Sequence, residues 1–406
     1  MIQTRTTCRG CNSFELYEFL DLGSMPLAGG FITAEQISLE ELFPLKVHYC
    51  TNCTLVQVLS VVEPSTLFED YKYISSVIPA LAKHFKEYSE YLVEHYLSEK
   101  SKLLEFGCND GALLQNFKDT KINAYGIDPS VNVSQFARDK GLNVRTGYFD
   151  QVQAKLLEKE IGLVDVVTGS NVFAHVDDIQ EILKSANIIL KPDGVFIVEV
   201  HYLLDLIKQN QYDTIYHEHL CYYSVTALKN IFARAGMKII DVVHLPMHGG
   251  SIRVVAAKQN SVRRINASVA EFLIDERTIT KEGLDSFAAF CLKHRSELTT
   301  LLRKLKTEGN TVVGYGAPGR GTILLNYCGI EQDSLAYIVD ISPLRVGKLM
   351  PGVHIPILSL EVARKNPPDY FLLLAWNYCE SILEQEHVLR ANGTKFIIPF
   401  PNIQVK

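Results

Sequence analysis

The sequence lacks any hydrophobic run long enough to cross a membrane, and residues 1–8 lack the apolar core of a secretion signal. It also lacks an excess of positive charge, because 40 Lys and Arg stand against 46 Asp and Glu, giving a net charge of -6. This balance provides no general attraction to nucleic acid or to anionic membranes. We therefore expect a cytoplasmic protein, a monomer or weak homodimer, whose partner is a small molecule rather than nucleic acid or a membrane.

Disulfides are not expected in the cytoplasm, so the nine cysteines need another explanation. Four of them form two Cys-x-x-Cys pairs, Cys8 with Cys11 and Cys50 with Cys53. A Cys-x-x-Cys turn directs both sulfurs at one ion, and two such turns complete a four-thiolate zinc site with no open position. The alternatives are a redox motif or two chance pairs, but a redox motif normally adjoins a βαβ unit, and none is evident here. We expect a structural zinc.

The pattern along the chain predicts several units, since 406 residues suffice for two or three domains. We expect a cysteine-containing domain at 1–70, an α/β domain at 71–261, a helical connector at 262–308 and a Rossmann-like domain at 309–406. Seven strands are predicted in the α/β domain, at 103–106, 123–127, 143–146, 164–169, 194–200, 237–244 and 251–257. Helices are predicted at 79–100, 131–140, 177–190 and 225–235. Because the last two strands read as a hairpin, we expect a parallel sheet with one antiparallel edge.

The most informative stretch is 103–111, Leu-Leu-Glu-Phe-Gly-Cys-Asn-Asp-Gly, which reads as a strand, a glycine turn and then a helix at 112–117. Gly107 and Gly111 allow a tight turn close to a ligand. Asp128 ends the next predicted strand, where a carboxylate suits both ribose hydroxyls of an adenosine cofactor. The spacing departs from the dinucleotide pattern, and Asn109 and Asp110 suit a zwitterionic amino-acid tail. The stretch therefore favours S-adenosylmethionine (SAM) over NAD.

Two loops at the carboxyl ends of later strands carry candidate catalytic residues. In Tyr216-His217-Glu218-His219, a His can remove a proton next to a carbonyl, a Glu can hold the imidazole tautomer and a Tyr can donate to an enolate oxygen. The alternatives are a metal site or a polar surface turn, although the two His lack the i, i+4 spacing of a helical zinc site. In the segment 171–178, Asn171 and His175 are placed to shape a methyl-transfer pocket, and Asp177 or Asp178 to cap the next helix.

Two later glycine segments suggest phosphate contacts. In His-Gly-Gly-Ser-Ile-Arg, residues 248–253, Arg253 is either a phosphate ligand or an ordinary surface charge. Gly314-x-Gly316-x-x-Gly319 matches the dinucleotide pattern by letter, with Asp340 further on. Three interpretations of this turn are open. It binds NAD, or it binds another diphosphate through its backbone amides, with Arg320 adding positive charge. Alternatively, it serves only to pack the strand against the helix.

These motifs occur in one order along the chain, and the series resembles the sugar C-methyltransferases that act on nucleotide-linked 4-keto-deoxysugars. The resemblance covers nearly the whole chain, and Tyr-His-Glu-His with the cysteine pairs is its most specific part. It implies an α/β fold with a central class I SAM methyltransferase Rossmann-like domain, a small N-terminal zinc-binding domain and a C-terminal Rossmann-like α/β domain. The sequence departs from the family pattern at Cys108 and Cys221, where Ser is common, and at Arg320, where Lys is common.

The resemblance also implies a reaction and a set of site residues. His219 takes the proton from C3, next to the 4-keto group, with Tyr216, Glu218 and His175 as partners. Expected cofactor contacts are Gly107, Asn109, Asp110, Gly111, Asp128, Pro129, Phe149, Ser170 and Asn171. Expected substrate contacts are Tyr71, Tyr73, Ser75, Ser76, Tyr222, His248, Arg253, Gly316 and Arg320. The rival functions are an NAD-dependent nucleotide-sugar oxidoreductase that uses the C-terminal glycine turn, and a non-catalytic nucleotide-sugar-binding zinc protein.

Overall fold

The computed structural model describes residues 2–63, 67 and 74–406, which form three sheet-containing units. Within these ranges, no helix is both long enough and apolar enough to span a membrane.

The N-terminal unit consists of antiparallel strands. These are β1 (Ile2–Thr4), β2 (Leu16–Met25), β3 (Phe43–Cys50), β4 (Val56–Val58) and β5 (Ser60–Val62). β1 pairs with β5, and β2, β3 and β4 form a second sheet in that order. The fourth strand of the second sheet is Cys221–Tyr222, which directly follows the predicted catalytic loop. The N-terminal unit and that loop are therefore joined by backbone hydrogen bonds.

The central unit is a seven-stranded sheet, as predicted. Its strands are β6 (Lys102–Phe106), β7 (Asn123–Asp128), β8 (Asn143–Thr146), β9 (Val164–Ser170), β10 (Leu190–His201), β12 (Met237–Leu245) and β13 (Ser251–Lys258), with β11 the strand Cys221–Tyr222 named above. The order is β12-β13-β10-β9-β6-β7-β8, and β13 runs antiparallel to both of its neighbours. The predicted hairpin is confirmed, but its antiparallel strand is not the edge. Because residues 251–257 are all buried, β13 suits an interior position between β10 and β12.

Helices cover this sheet, four of them where the sequence predicts them and two more, at 151–161 and 203–208, that it did not predict. They are α1 (Pro79–His95), α2 (Val131–Asp139), α3 (Gln151–Ile161), α4 (Ile179–Ile189), α5 (Leu203–Lys208) and α6 (Val225–Arg234). α1 begins with a proline, which suits the first helical turn, and ends five residues before the predicted 100. The helix predicted at 112–117 is a turn followed by a short 3-10 helix, Leu114–Phe117. The other 3-10 helices are Ala34–Leu39, Ser75–Val77, Phe173–His175, Tyr212–Thr214, Met247–Gly249, Glu276–Thr278 and Trp376–Tyr378.

The C-terminal unit is a second α/β layer, reached through α7 (Ala267–Asp275) and the long α8 (Lys281–Thr307). Its strands are β14 (Val312–Tyr315), β15 (Ile338–Asp340), β16 (Ile357–Ser359), β17 (Tyr370–Leu373), β18 (Lys395–Ile398) and β19 (Gln404–Val405), and its helices are α9 (Gly319–Cys328), α10 (Leu360–Lys365), α11 (Cys379–Gln385) and α12 (His387–Ala391). The sheet is parallel except for β19. The apolar face of α8 shares one core with β2 and with the C-terminal sheet. The boundaries at 70, 261 and 308 stay predictions.

Candidate active site

The candidate site lies where the parallel strands of the central sheet end. β6 ends just before Gly107, β7 ends at Asp128, β9 ends just before Asn171 and β10 ends at His201. In a doubly wound sheet, ligands bind in the crevice outside this carboxyl edge. The fold therefore gathers the predicted glycine turn and the candidate catalytic loops at one edge.

The glycine turn after β6 has the geometry of a nucleoside cradle. Gly107 has a φ of +62°, and a Cβ there would lie 2.5 Å from Cγ2 of Val172, so a larger residue does not fit. The Asn109 amide donates to Oδ2 of Asp128 at 2.8 Å, and the Ser130 amide donates to Oδ1 at 2.8 Å. These bonds, with a third from the Ser130 hydroxyl, fix the Asp128 carboxyl group, which still has room to accept from a ribose hydroxyl.

Several buried carboxyl groups gather at this turn. Burial, with repulsion from Asp128, Glu199 and Asp110, raises the pKa of Glu105 well above its ordinary value. Oε2 of Glu105 is buried and has no hydrogen-bond partner in the described part of the chain. Such an orphaned acceptor is costly unless a ligand covers it. The ammonium group of SAM can donate a hydrogen bond to the orphaned oxygen, so these residues suit that cofactor.

The end of β9 offers two more orphaned polar atoms. Oγ of Ser170 and Oδ1 of Asn171 are buried without a hydrogen-bond partner among the described residues, which fits their prediction as cofactor contacts. Phe149 is placed differently, since its ring is buried and stacks on Phe106 with centroids 5.6 Å apart. Phe149 therefore belongs mainly to the core, whereas Pro129 is half-buried directly beside Asp128.

Ser75 and Ser76 lie on the glycine turn. The Ser75 amide donates to Oδ1 of Asn109 at 3.0 Å, and the Ser76 amide donates to Oδ1 of Asp110 at 3.2 Å. The Ser76 hydroxyl also donates to Oδ2 of Asp110, which forms an ion pair with Lys140 at 2.5 Å. The segment predicted to contact the substrate thus holds the two side chains predicted to contact the cofactor. Tyr71 and Tyr73, predicted from the same segment, lie outside the described residues.

The loop with Tyr216 and His219 is anchored from both sides. His217 donates from Nε2 to the carbonyl of Phe43, 3.2 Å away on β3, so it points to the N-terminal unit. The Leu220 amide donates to the carbonyl of Ala174 at 2.9 Å, and the Val58 amide donates to the carbonyl of Leu220 at 3.0 Å. His217 and Leu220 therefore hold the loop in place, while Tyr216 and His219 face the crevice.

His219 is a buried, neutral imidazole with a defined tautomer. Nδ1 lies 3.2 Å from the carbonyl oxygen of Thr214, which can only accept, so Nδ1 carries the proton. Nε2 then has its lone pair free to accept, and the Tyr216 hydroxyl lies 3.0 Å from it. Burial, with the charges of His201 and His175, holds the pKa of His219 well below its ordinary value. Nε2 is therefore an available proton acceptor at neutral pH.

His175 and Glu218 adjoin this imidazole in different ways. The His175 ring lies 5.0 Å from the His219 ring, and its Nδ1 donates to the carbonyl of Glu218 at 2.6 Å. A further hydrogen bond to the backbone of Asn171 also engages the His175 ring. Burial raises the pKa of the Glu218 carboxyl to about 7, so this group titrates in the range where acid–base catalysts work. A Cβ on Gly29 would lie 3.6 Å from Oε1 of Glu218, so the N-terminal unit closes this side.

The four predicted zinc ligands form one cluster. The sulfurs of Cys8, Cys11, Cys50 and Cys53 all lie within 4.8 Å of one another, with Cys8 and Cys53 3.5 Å apart. Tetrahedral zinc with bonds of about 2.3 Å places its sulfurs roughly 3.8 Å apart, so the cluster fits this ion. Gln57 donates to the Cys8 sulfur at 3.1 Å, and such bonds to the ligands stabilise thiolates. Four cysteine ligands leave no open position, so this metal site is structural.

Arg9, inside the first cysteine pair, connects the zinc site to the catalytic loop. Its side chain is fully buried, and Nη1 donates to the carbonyl oxygens of Val58 at 2.8 Å and Leu220 at 3.0 Å. Its Nε forms an ion pair with Asp177 at 3.1 Å. Asp178, not Asp177, caps α4 by accepting from the Glu181 amide at 3.0 Å. Leu220, next to the candidate base His219, is thus held by Arg9, next to the zinc ligand Cys8.

Comparison with known proteins agrees with this geometry. Residues 8–68 match the model of a zinc binding domain, residues 74–242 a methyltransferase domain and residues 246–401 a C-methyltransferase C-terminal domain. The C-methyltransferase NovU of Streptomyces niveus is 37% identical over 404 residues, which are 98% of this chain and 96% of NovU. The chain belongs to the C-methyltransferase family. The predicted SAM-dependent methyltransferase activity, SAM and zinc as cofactors, and the three-part fold are confirmed.

More distant similarities cover less than half of this chain. The ubiquinone biosynthesis O-methyltransferase of Acinetobacter baylyi is 24% identical over 162 residues, 36% of this chain and 66% of that protein. Among solved structures, a SAM-dependent methyltransferase of Clostridium acetobutylicum is 18% identical with a TM-score of 0.35, covering 44% of this chain and 92% of that one. The magnesium protoporphyrin IX methyltransferase of Synechocystis with bound SAM is 14% identical with a TM-score of 0.35, covering 45% and 82%.

Two predicted substrate contacts of the enzyme have other partners. Arg253 is neither a phosphate ligand nor a surface charge, because β13 pairs it with Glu199 inside the sheet and its Nη2 lies 2.6 Å from that carboxylate. Its guanidinium also lies 4.0 Å from the centroid of the Tyr88 ring, which is buried. Tyr222 is buried as well, and its hydroxyl accepts from the Tyr216 amide at 3.2 Å. Tyr222 therefore positions the catalytic loop.

The glycine turn of the C-terminal unit is packed against protein. A Cβ on Gly316 would lie 2.7 Å from Cβ of Ala375, and one on Gly319 would lie 3.3 Å from Cβ of Ala28. The carbonyl of Ala28 also accepts from the Thr322 hydroxyl at 3.1 Å, inside the first turn of α9. These contacts favour the strand–helix packing interpretation of the motif over a dinucleotide site.

Arg320, in the first turn of α9, brings charge from the C-terminal unit to the crevice. Its Nε lies 3.9 Å from Oδ2 of Asp213, which accepts from Nε1 of Trp376 at 2.7 Å. Nη1 of Arg320 is buried without a hydrogen-bond partner in the described ranges, as an anion-binding group would be before its ligand arrives. Burial of His248, together with the positive charge of Arg320, lowers the pKa of His248 to about 4.

One residue of the crevice was missed from the sequence. His201 is the last residue of β10, and its ring lies 5.0 Å from the ring of His219. It also stacks on the ring of His248 at 5.5 Å, and Nε2 of His248 lies 3.3 Å from Nδ2 of Asn171. The rule that selected the loop after β9, a polar residue where a buried strand ends, would also have found His201.

Proposed function

We propose that the enzyme transfers the methyl group of SAM to C3 of a nucleotide-linked 4-keto-6-deoxysugar, in the biosynthesis of a branched-chain deoxysugar. Membership of the C-methyltransferase family supports transfer to carbon. The series of motifs that resembles the sugar C-methyltransferases supports the choice of substrate.

The tautomer of His219 is the observation that carries the proposal. Methylation at carbon needs a proton acceptor, and a C3–H bond beside a C4 carbonyl is acidic enough for an imidazole. With Nδ1 bonded to the carbonyl of Thr214, the Nε2 lone pair is available for that proton. The low pKa of His219, caused by burial, keeps the ring unprotonated before substrate binds.

Tyr216 and Glu218 are the proposed partners of this base. The Tyr216 hydroxyl has one hydrogen, so when it turns from Nε2 of His219 toward a substrate oxygen it frees the lone pair that must take the proton. Glu218, with a pKa of about 7, is suited to exchange that proton with solvent between turnovers. The Asn171 and His175 loop, between the glycine turn and the base, is proposed to shape the transfer pocket.

The remaining residues orient the two ligands. When bound, SAM supplies an electrophilic methyl group for C3, and the carboxylates around Gly107 hold its positive charges. Arg320 is proposed to contact the diphosphate, because its Nη1 is buried without a hydrogen-bond partner among the described residues. Holding C3 and the methyl group in line is the main contribution that we expect from the protein.

A single substitution tests the base. His219→Asn removes the proton acceptor and should abolish both methyl transfer and the exchange of the C3 proton in deuterated water, while SAM binding persists. His244→Asn is the matched control, since His244 lies half exposed on β12 and pairs with Asp205. A folded His219→Asn protein with full turnover on a 4-keto sugar would contradict the assignment.

A further inference from the structure

His201 packs its half-buried ring against the rings of His219 and His248. No residue in the described ranges makes a hydrogen bond to either of its ring nitrogens. Its side chain projects from the last position of β10, two residues beyond Glu199 and on the same face of the sheet. A His at the ligand-binding edge, with both nitrogens uncommitted, suits a contact with the substrate.

The other three imidazoles are committed to the protein. His175 is bonded to the backbone carbonyls of Glu218 and Asn171, so its ring has little left to offer a substrate oxygen. His219 is held by Thr214 and Tyr216 and is the proposed base. His248 lies beside the amide of Asn171. The sequence assigns the enolate oxygen to Tyr216, whose hydroxyl is engaged with Nε2 of His219, so His201 is available as a further donor to that oxygen.

We propose that His201 donates an N–H hydrogen bond to the C4 oxygen of the substrate and stabilises the enolate formed when His219 removes the C3 proton. This inference rests on the proposed function and adds a catalytic residue to it. The proton passes from C3 to Nε2 of His219, the C–H electron pair forms the C3=C4 bond, and the carbonyl pair moves onto the oxygen that faces His201.

The distance between the two rings suits this division of labour. A base stands about 3–3.5 Å from the carbon that it deprotonates, and a donor stands about 3 Å from the adjacent oxygen. Two groups that act on neighbouring atoms of one substrate must therefore lie within several ångströms of each other. The ring centroids of His201 and His219, 5.0 Å apart, meet this requirement.

The charge state of His201 also suits a donor. Burial, with the charges of His248, Arg320 and His175, holds its pKa well below the ordinary value, so the ring is neutral. A neutral imidazole is a weak acid whose N–H polarises a carbonyl without giving up its proton, as in triosephosphate isomerase. A second cationic imidazole beside His219 would instead oppose protonation of the base.

The test removes the N–H donor and keeps the ring. In His201→Phe we expect kcat to fall about 10²-fold or more, the typical effect of losing one oxyanion donor, with KM for the sugar nucleotide changed less than about threefold. Exchange of the C3 proton in deuterated water, measured without SAM, should slow by a similar factor, because enolisation is the step affected. His201→Asn retains an N–H donor and should recover part of both rates.

Controls separate this inference from the proposed function. His387→Phe introduces the same ring at an exposed position on α12 of the C-terminal unit and should leave both rates unchanged. If the wild-type enzyme exchanges C3 and methylates it while His201→Phe does so at the wild-type rate, or only KM rises, the role of His201 is overturned and the proposed function stands. If His201→Phe does not fold, the same comparison is made with His201→Leu, which also lacks a donor, and wild-type rates in that variant would overturn the role of His201. If the wild-type enzyme neither exchanges nor methylates any 4-keto sugar, both fail.

Discussion

Replacing Glu218 by Gln should stabilise the folded enzyme even as it lowers turnover. Burial raises the pKa of Glu218 from 4.5 to about 7. Between these values the unfolded chain has released the proton and the folded protein still holds it, so stability falls as pH rises through this window and stays lowered above it. Each unit of pKa corresponds to about 1.4 kcal/mol, so the carboxylate costs on the order of 3 kcal/mol at pH 8.

A Gln side chain has the same size and no charge, so it removes this cost. We expect Glu218→Gln to raise the melting temperature by roughly 6–12 °C at pH 8, and by much less at pH 5, if the melting unit has about 150–250 residues. Thermal denaturation of both proteins between pH 5 and 8 measures the difference. The exposed Glu271, changed to Gln, is the matched control and should show no such trend. A gain that is independent of pH, or a loss of stability at pH 8, would refute this reasoning.

Three further perturbations separate structural roles from catalytic ones. Removing zinc with a chelator should unfold the N-terminal unit and abolish activity, because Arg9 joins this unit to the loop that carries His219. Retained activity in protein that elemental analysis shows to be free of metal would contradict this. Arg253→Met removes the positive charge that pairs with the buried Glu199 carboxylate, so it should destabilise the fold by about 3–5 kcal/mol. The KM of the enzyme that remains folded should stay unchanged, and a selective rise in KM would restore the phosphate-contact prediction. Gly107→Ala should weaken SAM binding at least tenfold by calorimetry, since its Cβ would clash with Val172, and unaltered affinity would show that the turn adapts.

The elements that the sequence predicted well are those in which local pattern and fold agree. The strand, glycine turn and Asp128 follow one another in the chain, so spacing alone placed them at one edge. The cysteine pairs were equally clear, because four sulfurs at such spacing have few uses other than metal binding. Periodicity also located α2, α4 and α6 to within two residues at each end.

The rest depended on contacts between distant parts of the chain. Arg253 was assigned wrongly because only the register of β10 and β13 reveals that it faces Glu199. The insertion of β13 between β10 and β12 likewise follows from burial on both faces, which a local hairpin pattern does not show. Within Tyr216–His219, the sequence could not tell that His217 faces β3 while His219 faces the crevice, since the N-terminal sheet decides both.

The most direct test of the central claim is to locate the transferred methyl group. The purified zinc-containing enzyme would be incubated in deuterated water with SAM carrying a 13C-methyl group and with dTDP-, GDP- and CDP-linked 4-keto-6-deoxysugars, and the products analysed by NMR. We predict a 13C-methyl group bonded to C3 of one of these sugars, and deuterium at C3 of its unreacted substrate. A methyl group on oxygen or nitrogen, or transfer to carbon at a position not adjacent to the carbonyl, would contradict the account.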